Sequence, residues 1–304
     1  MDVFLPIANM NLSIMLVLGL GGVVGFLSGL FGVGGGFLLS PALMMAGVPP
    51  AVATASDTNQ IVAASVSGTV AHSRAGNVDF KLGAIILVGG LVGGTLGTDV
   101  VRYLRALGNF DFVVKMAYVV MLLAVGALML RESLAALRKK GQRPGGPKPS
   151  RARELANRLP WRMHFPTSGI ECSAPALVLL GFIIGVLAAL MGVGGGFIML
   201  PVMIYVLGIP TLKAVGTSVF TVVFTAVNVT MAQATVNGTV DVVLAVLLLV
   251  GSAVGAQFGA LISRRIRGSQ LRVLFSLIVL GVMAKMLVEL VSKPGALVVL
   301  GGGH

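Results

Sequence analysis

Long apolar stretches separated by short polar turns occupy almost the whole chain. Runs of spanning length, about 20 residues for a hydrocarbon core of roughly 30 Å, fall at 12–31, 51–71, 82–101 and 112–130, and again at 174–191, 214–236, 240–262 and 271–291. Between the first and second run of each set lies a shorter apolar piece, Phe37 to Val48 and Phe197 to Ile209. As helix these would rise only about 18–20 Å, short for a crossing. Each follows a glycine cluster and carries a proline, Pro41 or Pro201, so each predicts one half of a discontinuous helix. The pattern predicts an all-α polytopic membrane protein, with about four to five transmembrane segments in each half.

The second half repeats the first. Phe31-Gly32-Val33-Gly34-Gly35-Gly36-Phe37 returns 160 residues later as Met191-Gly192-Val193-Gly194-Gly195-Gly196-Phe197, with Pro41 falling on Pro201. The register then slips. Gly47-Val48-Pro49 matches Gly208-Ile209-Pro210 at 161, and Gly76-Asn77-Val78-Asp79 matches Gly238-Thr239-Val240-Asp241 at 162. At that last offset Gly89, Gly93 and Gly97 fall on Gly251, Gly255 and Gly259, a spacing of small residues that lets helices pack closely. Ordered self-similarity of this kind predicts a duplicated membrane domain.

Composition agrees: 56% of the 304 residues are hydrophobic, 11% are charged, and the mean hydropathy is +1.00. A soluble surface needs about 25–35% charged residues, so a soluble nucleotide enzyme or a DNA-binding module is excluded. The formal charge of +12 is concentrated, because residues 131–165 hold ten Lys or Arg against Glu132 and Glu154. Basic residues in short loops favour the cytoplasm, so this linker is expected inside. The N-terminal arm has no basic residue and is expected outside. The first half then crosses an odd number of times, and the second is inverted. Equivalent loops support this: 72–81 carries Arg74 and Lys81 while 234–241 carries none, and Arg102 and Arg105 face Arg264, Arg265, Arg267 and Arg272 in the counterpart loop. The expected division is a first repeat at 1–131, a basic cytoplasmic linker at 132–170 and an inverted repeat at 171–304. Lipid headgroups, not nucleic acid, are the expected neighbours of the basic run. The N-terminus lacks the features of a cleaved signal, so the first run is expected to be retained. Cys172, the one cysteine, cannot close an intrachain disulfide.

Two features carry candidate chemistry. A glycine cluster that opens a helix leaves backbone N–H groups and the positive end of the helix dipole pointing into the loop, an anion site without basic side chains. Inside a bilayer such irregular backbone is tolerated where it lines a protein-enclosed cavity. Gly34, Gly35 and Gly36, with Gly194, Gly195 and Gly196, are therefore expected to form two halves of one substrate site. The second feature is the polar third segment. Thr54, Ser56, Asp57, Thr58, Asn59 and Gln60 crowd one stretch, answered by Thr217, Ser218, Thr221, Thr225 and Asn228. Hydroxyls of Thr54, Ser56, Thr217 and Ser218 would complete the hydrogen bonds to an oxyanion, with Asn59 and Gln60 nearby. Asp57 is an ionisable group within a span, a functional candidate by default, and with His72 it is a candidate for proton or ion coupling. No His-Glu-x-x-His pair or Gly-x-Ser-x-Gly elbow is present, and His72, His164 and His304 are scattered, so neither an enzyme nor a resident metal or cofactor is expected.

The Gly-Val-Gly-Gly-Gly-Phe of 32–37, the Gly-Val-Pro-Pro of 47–50, the Ala-His-Ser-Arg-Ala-Gly-Asn-Val-Asp of 71–79 and the duplicated motif ending in Val-Gly-Thr-Ser at 215–218 together resemble the sulfite exporter TauE/SafE family of membrane permeases, also called the TSUP family. The resemblance covers both halves. It implies a multi-pass carrier of the bacterial inner membrane for sulfite, organosulfonates or related sulfur-containing anions, energised by a proton or sodium gradient. A gated channel for a small anion is the alternative. A homo-oligomer is compatible with this reading. One departure stands out: Ala53-Thr54-Ala55-Ser56 replaces the Gly-Thr-Ser that family members usually place at the start of the third segment, with Asp57 directly after it.

Overall fold

The computed structural model describes residues 2–31, 36–108, 110–138, 160–263 and 268–292. Gly34 and Gly35 of the first glycine loop, the linker from 139 to 159 and the arginines at 264–267 lie outside the described residues. The first half opens with a hairpin of β1 (Asp2–Leu5) and β2 (Met10–Ser13), followed by helices α1 (Ile14–Phe31), α2 (Gly36–Met45), α3 (Pro50–Arg74), α4 (Phe80–Ala106) and α5 (Phe110–Arg138). The second half has the same order: β3 (Arg162–Phe165), β4 (Ile170–Ser173), α6 (Ala174–Met191), α7 (Gly196–Pro201), α8 (Thr211–Ala232), α9 (Val242–Ser263) and α10 (Gly268–Ser292).

The protein is thus a polytopic all-α membrane protein with two small antiparallel hairpins. Among the described residues, Phe80–Ala106, Phe110–Arg131, Ala174–Met191, Leu212–Asn237 and Val242–Gly259 are long and apolar enough to cross a bilayer. The helices fall within a few residues of the expected runs. The hairpins do not: their strands sit on segments read from the sequence as an arm and as the end of the linker.

The slipping register has a structural cause. The step from 160 to 161 falls on a π-helical turn at Val202–Val206, which follows Pro201. The step from 161 to 162 falls on a second π-helical turn at Gln233–Asn237. A π turn takes up one residue more than an α turn, so each insertion is absorbed locally and the faces beyond it stay in place.

The two most extensive helix pairings join the halves: α1 packs on α9, and α4 packs on α6. Glycine makes both possible. A methyl group on Gly89 would stand 1.9 Å from the Val178 carbonyl oxygen, on Gly93 2.1 Å from that of Phe182, and on Gly255 2.0 Å from that of Gly22. Backbones in such contact replace the hydrophobic driving force that lipid does not supply. The order of contacts, Gly89 with Val178, Gly93 with Phe182 and Gly97 with Val186, makes α4 and α6 parallel. Gly21 with Leu248 and Gly25 with Ser252 give α1 and α9 the same sense.

Two aspartates mark the ends of the bundle. Asp79 caps α4, its Oδ1 accepting the Leu82 N–H at 3.0 Å, and its Oδ2 takes the Ser168 N–H at 3.1 Å and hydroxyl at 2.7 Å. Asp241 does the same for α9: Oδ1 accepts from Leu244 at 3.1 Å and Oδ2 from the Ile7 N–H at 3.1 Å. One oxygen caps a helix of its own half while the other grips the hairpin turn of the opposite half. The backbone N–H of Asp241 donates to Ser56 Oγ near the head of α3, and that of Asp79 donates to Thr217 Oγ1 near the head of α8. The heads of α1, α3 and α9 therefore share one end, and those of α4, α6 and α8 share the other. The 25 residues of α3 separate the two ends by about 37 Å.

Substitution at the glycine seams should separate from substitution elsewhere on the same helices. Gly89→Val or Gly255→Val is expected to cost more than the roughly 1–3 kcal/mol of ordinary overpacking, because the clash is with backbone. Gly19→Ala, with nothing within 4 Å of an added Cβ, should be neutral or stabilising. Thermal unfolding and size exclusion in detergent check both; a Gly89→Val protein that stays monodisperse with an unchanged midpoint would contradict the seam.

Candidate functional site

The candidate site begins at the second glycine loop, where Gly192, Gly194 and Gly195 adopt left-handed backbone with φ of 66°, 61° and 78°. Side-chain-bearing residues rarely hold that conformation, which explains the glycines locally. The loop ends α6 and starts α7 inside the protein, between α3 and α8. Its carbonyls are met from both helices: Thr58 Oγ1 donates to Gly192 O at 3.1 Å, and Thr225 Oγ1 to Gly194 O at 3.3 Å. Irregular backbone at this depth is thereby partly satisfied by hydroxyls.

The heads of the two short helices meet. Phe37, the second residue of α2, stacks on Phe197, the second residue of α7, with ring centroids 4.2 Å apart and planes 7° from parallel. Ile61 lies between the two glycine segments. A methyl group on Gly36 would stand 2.2 Å from Ile61 Cδ1, and one on Gly194 2.8 Å from Ile61 Cγ2 and 3.2 Å from Val222 Cγ1. Ile61, its repeat counterpart Val222, and Ala226 form a small buried apolar cluster there. The glycine-led helix starts thus share the centre of the molecule, and aliphatic and aromatic side chains close it in this conformation.

Beside this cluster lies a carboxylate. Asp57 is fully buried on α3, and its Oδ2 accepts the Ser40 hydroxyl of α2 at 2.7 Å. A methyl group on Gly36 would stand 3.2 Å from the same oxygen, so Asp57 faces the head of α2, where the helix dipole is positive. Oδ1 has no hydrogen-bond partner, nor does the buried Oε1 of Gln60. Tyr118 of α5, also fully buried, lies beside Ser40 and Asp57 and donates its hydroxyl to the Met191 carbonyl at the end of α6.

Of the residues expected to form one site, Gly36, Asp57, Gly194 and Gly196 gather at this centre, with Gly195 packed on Ile184 and Ala188, and Gln60 is buried on α3 between Asp57 and Ile61. Others turn their side-chain bonds elsewhere, although the Thr54 backbone packs on Gly192. Thr54 Oγ1 donates to its own helix at Pro50 O, 2.9 Å, Ser218 Oγ to Val215 O at 2.9 Å, and Asn59 Nδ2 to Ala55 O at 3.3 Å. Ser56, adjacent to Asp57, and Thr217 accept the backbone N–H groups of Asp241 and Asp79, on opposite sides of the centre. His72 sits in the last turn of α3, half-buried and 15 residues, about 22 Å of helix, from Asp57.

Sequence reasoning passed over Ser40, Tyr118, Asp79 and Asp241. The two aspartates did stand in the repeated Gly-x-Val-Asp motif, and that repetition was the available signal. Ser40 and Tyr118 carried none, since their roles arise where α2, α3, α5 and α6 meet.

Comparison with known proteins follows the same outline. The family model "Sulfite exporter TauE/SafE" matches residues 17–286. The chain belongs to the sulfite exporter TauE/SafE family. A "Probable membrane transporter protein" of Xylella fastidiosa is 27% identical over 209 residues, covering 68% of this chain and 69% of the relative. The "Probable membrane transporter protein YunE" of Bacillus subtilis is 27% identical over 223 residues, 69% of this chain and 74% of the relative. A shorter likeness, 45% over 51 residues and 15% of this chain, joins it to a "Probable membrane transporter protein" of Methanocaldococcus jannaschii, of which 19% is covered. No solved structure matches the chain. This TauE/SafE member is a multi-pass protein of a membrane transporter family.

Tyr118→Phe tests the packing of the centre. It leaves the buried Met191 carbonyl without its donor, an expected cost of roughly 1–3 kcal/mol, read as a lower thermal midpoint in detergent. A midpoint equal to that of the parent protein would remove Tyr118 from the support of the α6 end.

Proposed function

We propose that this protein is a secondary carrier that exports small sulfur-containing anions, such as sulfite or organosulfonates, across the bacterial inner membrane by alternating access. The carrying observation is the meeting of two glycine-led helix starts at the centre, with Phe37 stacked on Phe197. Backbone N–H groups at Gly36 and at Gly194, Gly195 and Gly196 would hold the oxyanion, helped by the helix dipoles. A small oxyanion suits such a site, since a dipole-held charge needs no arginine clamp. Membership in a family described by sulfite export supports the substrate class.

Alternating access follows from inversion of the halves. Hairpin β1–β2 lies with the heads of α1, α3 and α9, and hairpin β3–β4 with those of α4, α6 and α8, which supports a reading in which the halves enter the bilayer from opposite faces. In this reading the N-terminal hairpin is external and the basic linker cytoplasmic, as the charge bias favours. Lys81, which donates to His164 O at 3.2 Å, and Lys213, which donates to Thr167 O, hold the second hairpin on the cytoplasmic side. Their repeat counterparts are Val243 and Val52. Rocking one repeat against the other would open the apolar closure at Ile61 and Val222 first to one face and then to the other.

Counterflow of labelled sulfite in proteoliposomes tests the reading. A carrier exchanges label faster when unlabelled sulfite waits on the far side; a channel does not. Gly196→Ala, whose methyl would stand 3.0 Å from Val222 Cγ2, should slow counterflow about tenfold, as loss of roughly 1.4 kcal/mol of binding predicts, with little change in thermal midpoint. Label flux indifferent to sulfite on the far side would identify a channel, and absence of sulfite movement would refute the substrate class.

A further inference from the structure

We propose that Asp57 is the proton carrier of the transport cycle, taking one proton on Oδ1 and donating it in a hydrogen bond to Oε1 of Gln60. The inference rests on the carrier reading above and deepens it by naming the coupling ion and its site. Three observations carry it.

The first is asymmetry on a duplicated scaffold. The repeat counterparts of Ser40, Asp57 and Gln60 are Leu200, Ser218 and Thr221. The second half forms the same helices and the same central contacts without a carboxylate, so the fold itself does not require one. The second is the bonding. Asp57 is fully buried and Gln60 is 4% exposed, and each presents an oxygen with no partner, Oδ1 and Oε1. Residues three apart lie on one helix face, so a proton on Oδ1 has the bare Oε1 of Gln60 as an acceptor on the same face. Buried acceptors left unpaired are costly; a single proton on Oδ1 satisfies both.

The third is position. Asp57 Oδ2 lies against Gly36 at the head of α2, where the incoming anion would bind. An ionised Asp57 already occupies that positive helix end and repels a second anion; a protonated one leaves it free. Proton and anion therefore favour each other's binding, and by reciprocity to the same degree. The surroundings are consistent with one titrating group. Tyr118 approaches from α5 and Ser40 from α2, the end of α6 brings the Met191 and Gly192 carbonyls, α8 brings Val222 and Ala226, and Asp241 of α9 reaches Ser56 rather than Asp57. Among the described residues no Lys, Arg or His forms an ion pair with Asp57. The step balances simply: hydronium gives a proton to Oδ1, leaving water and a neutral carboxyl, and the reverse transfer on the opposite side of the membrane restores the carboxylate. A monoanion moved with that proton carries no net charge, so on export its own concentration gradient would drive the step.

Infrared difference spectroscopy of the purified full-length protein tests this without any transport substrate. On acidification the parent protein should gain a protonated-carboxyl stretch that Asp57→Asn lacks, and Gln60→Leu should shift that band to higher frequency because the acceptor is gone. A pH-dependent band retained unaltered in both variants overturns the proposal, as does a band that responds to added sodium instead of pH. Should Asp57→Asn fail to fold, the band position in Gln60→Leu decides alone. Failure of sulfite counterflow would refute the substrate reading while leaving this spectroscopic result standing, so the two can be told apart.

Discussion

Lipid tails are as apolar as leucine, so helices in a bilayer gain nothing by hiding from their solvent; they associate where backbones approach closely and polar groups find partners. In this protein that constraint is met by the glycine seams of α4 with α6 and α1 with α9, where an added methyl would stand about 2 Å from carbonyl oxygens of the facing helix. Both seams join one half to the other. Neither half is therefore a self-sufficient domain, and each first helix completes its packing only on the fourth helix of the opposite half. The aspartates reinforce the exchange, because Asp79 and Asp241 each cap a helix of their own half and hold the hairpin turn of the other.

That exchanged framework frees the interior. With the lipid-facing apolar helices held by glycine contacts, α3 and α8 can be polar, and their hydroxyls serve backbone carbonyls that would otherwise be orphaned. Thr58 and Thr225 support the glycine loop from both sides, while Thr54, Thr69 and Thr221 bond back to their own helices. Polar content in α3 is therefore mostly structural. What is left over on these two helices is one oxygen each of Asp57 and Gln60, with Nδ1 of His72 and Oγ1 of Thr230. Asp57 and Gln60 are the two of these that stand within about one helical turn of Ile61, between the glycine-led helix starts, and they are the pair proposed above to share the proton.

Much of this was legible in the amino-acid sequence. Apolar runs located the helices, and the repeated glycine and proline motifs located the short helices α2 and α7, because backbone geometry at Gly192, Gly194 and Gly195 demands glycine wherever it occurs. Even the slipping register proved informative, each one-residue step marking a π turn. The hairpins were not legible, since four-residue strands are too short for an alternating pattern to stand out from a terminal arm or from the end of a basic linker. Nor was the convergence of Thr54, Ser56, Thr217 and Ser218 decidable from residue type. A hydroxyl on a membrane helix has its own carbonyl four residues back as a ready partner, and only the antiparallel placement of α3 and α8 shows that Ser56 and Thr217 lie near opposite ends.

Duplication supplies an internal control that a single-copy protein lacks. Where both halves keep a residue, as with Asp79 and Asp241 or Phe37 and Phe197, its role belongs to the shared architecture: capping, seam or central contact. Where the halves differ at equivalent positions, the fold has no need of the difference, and the residue is free to break the symmetry for another purpose. Lys81 and Lys213 distinguish the end bearing the second hairpin from the end bearing the first, a difference of charge that suits unlike aqueous faces. Asp57, with Ser40 and Gln60, distinguishes one glycine-led helix start from the other at the centre. A perfectly symmetric pair of repeats would present two equivalent faces, so in the carrier reading proposed above these few unmatched residues are where the faces can differ.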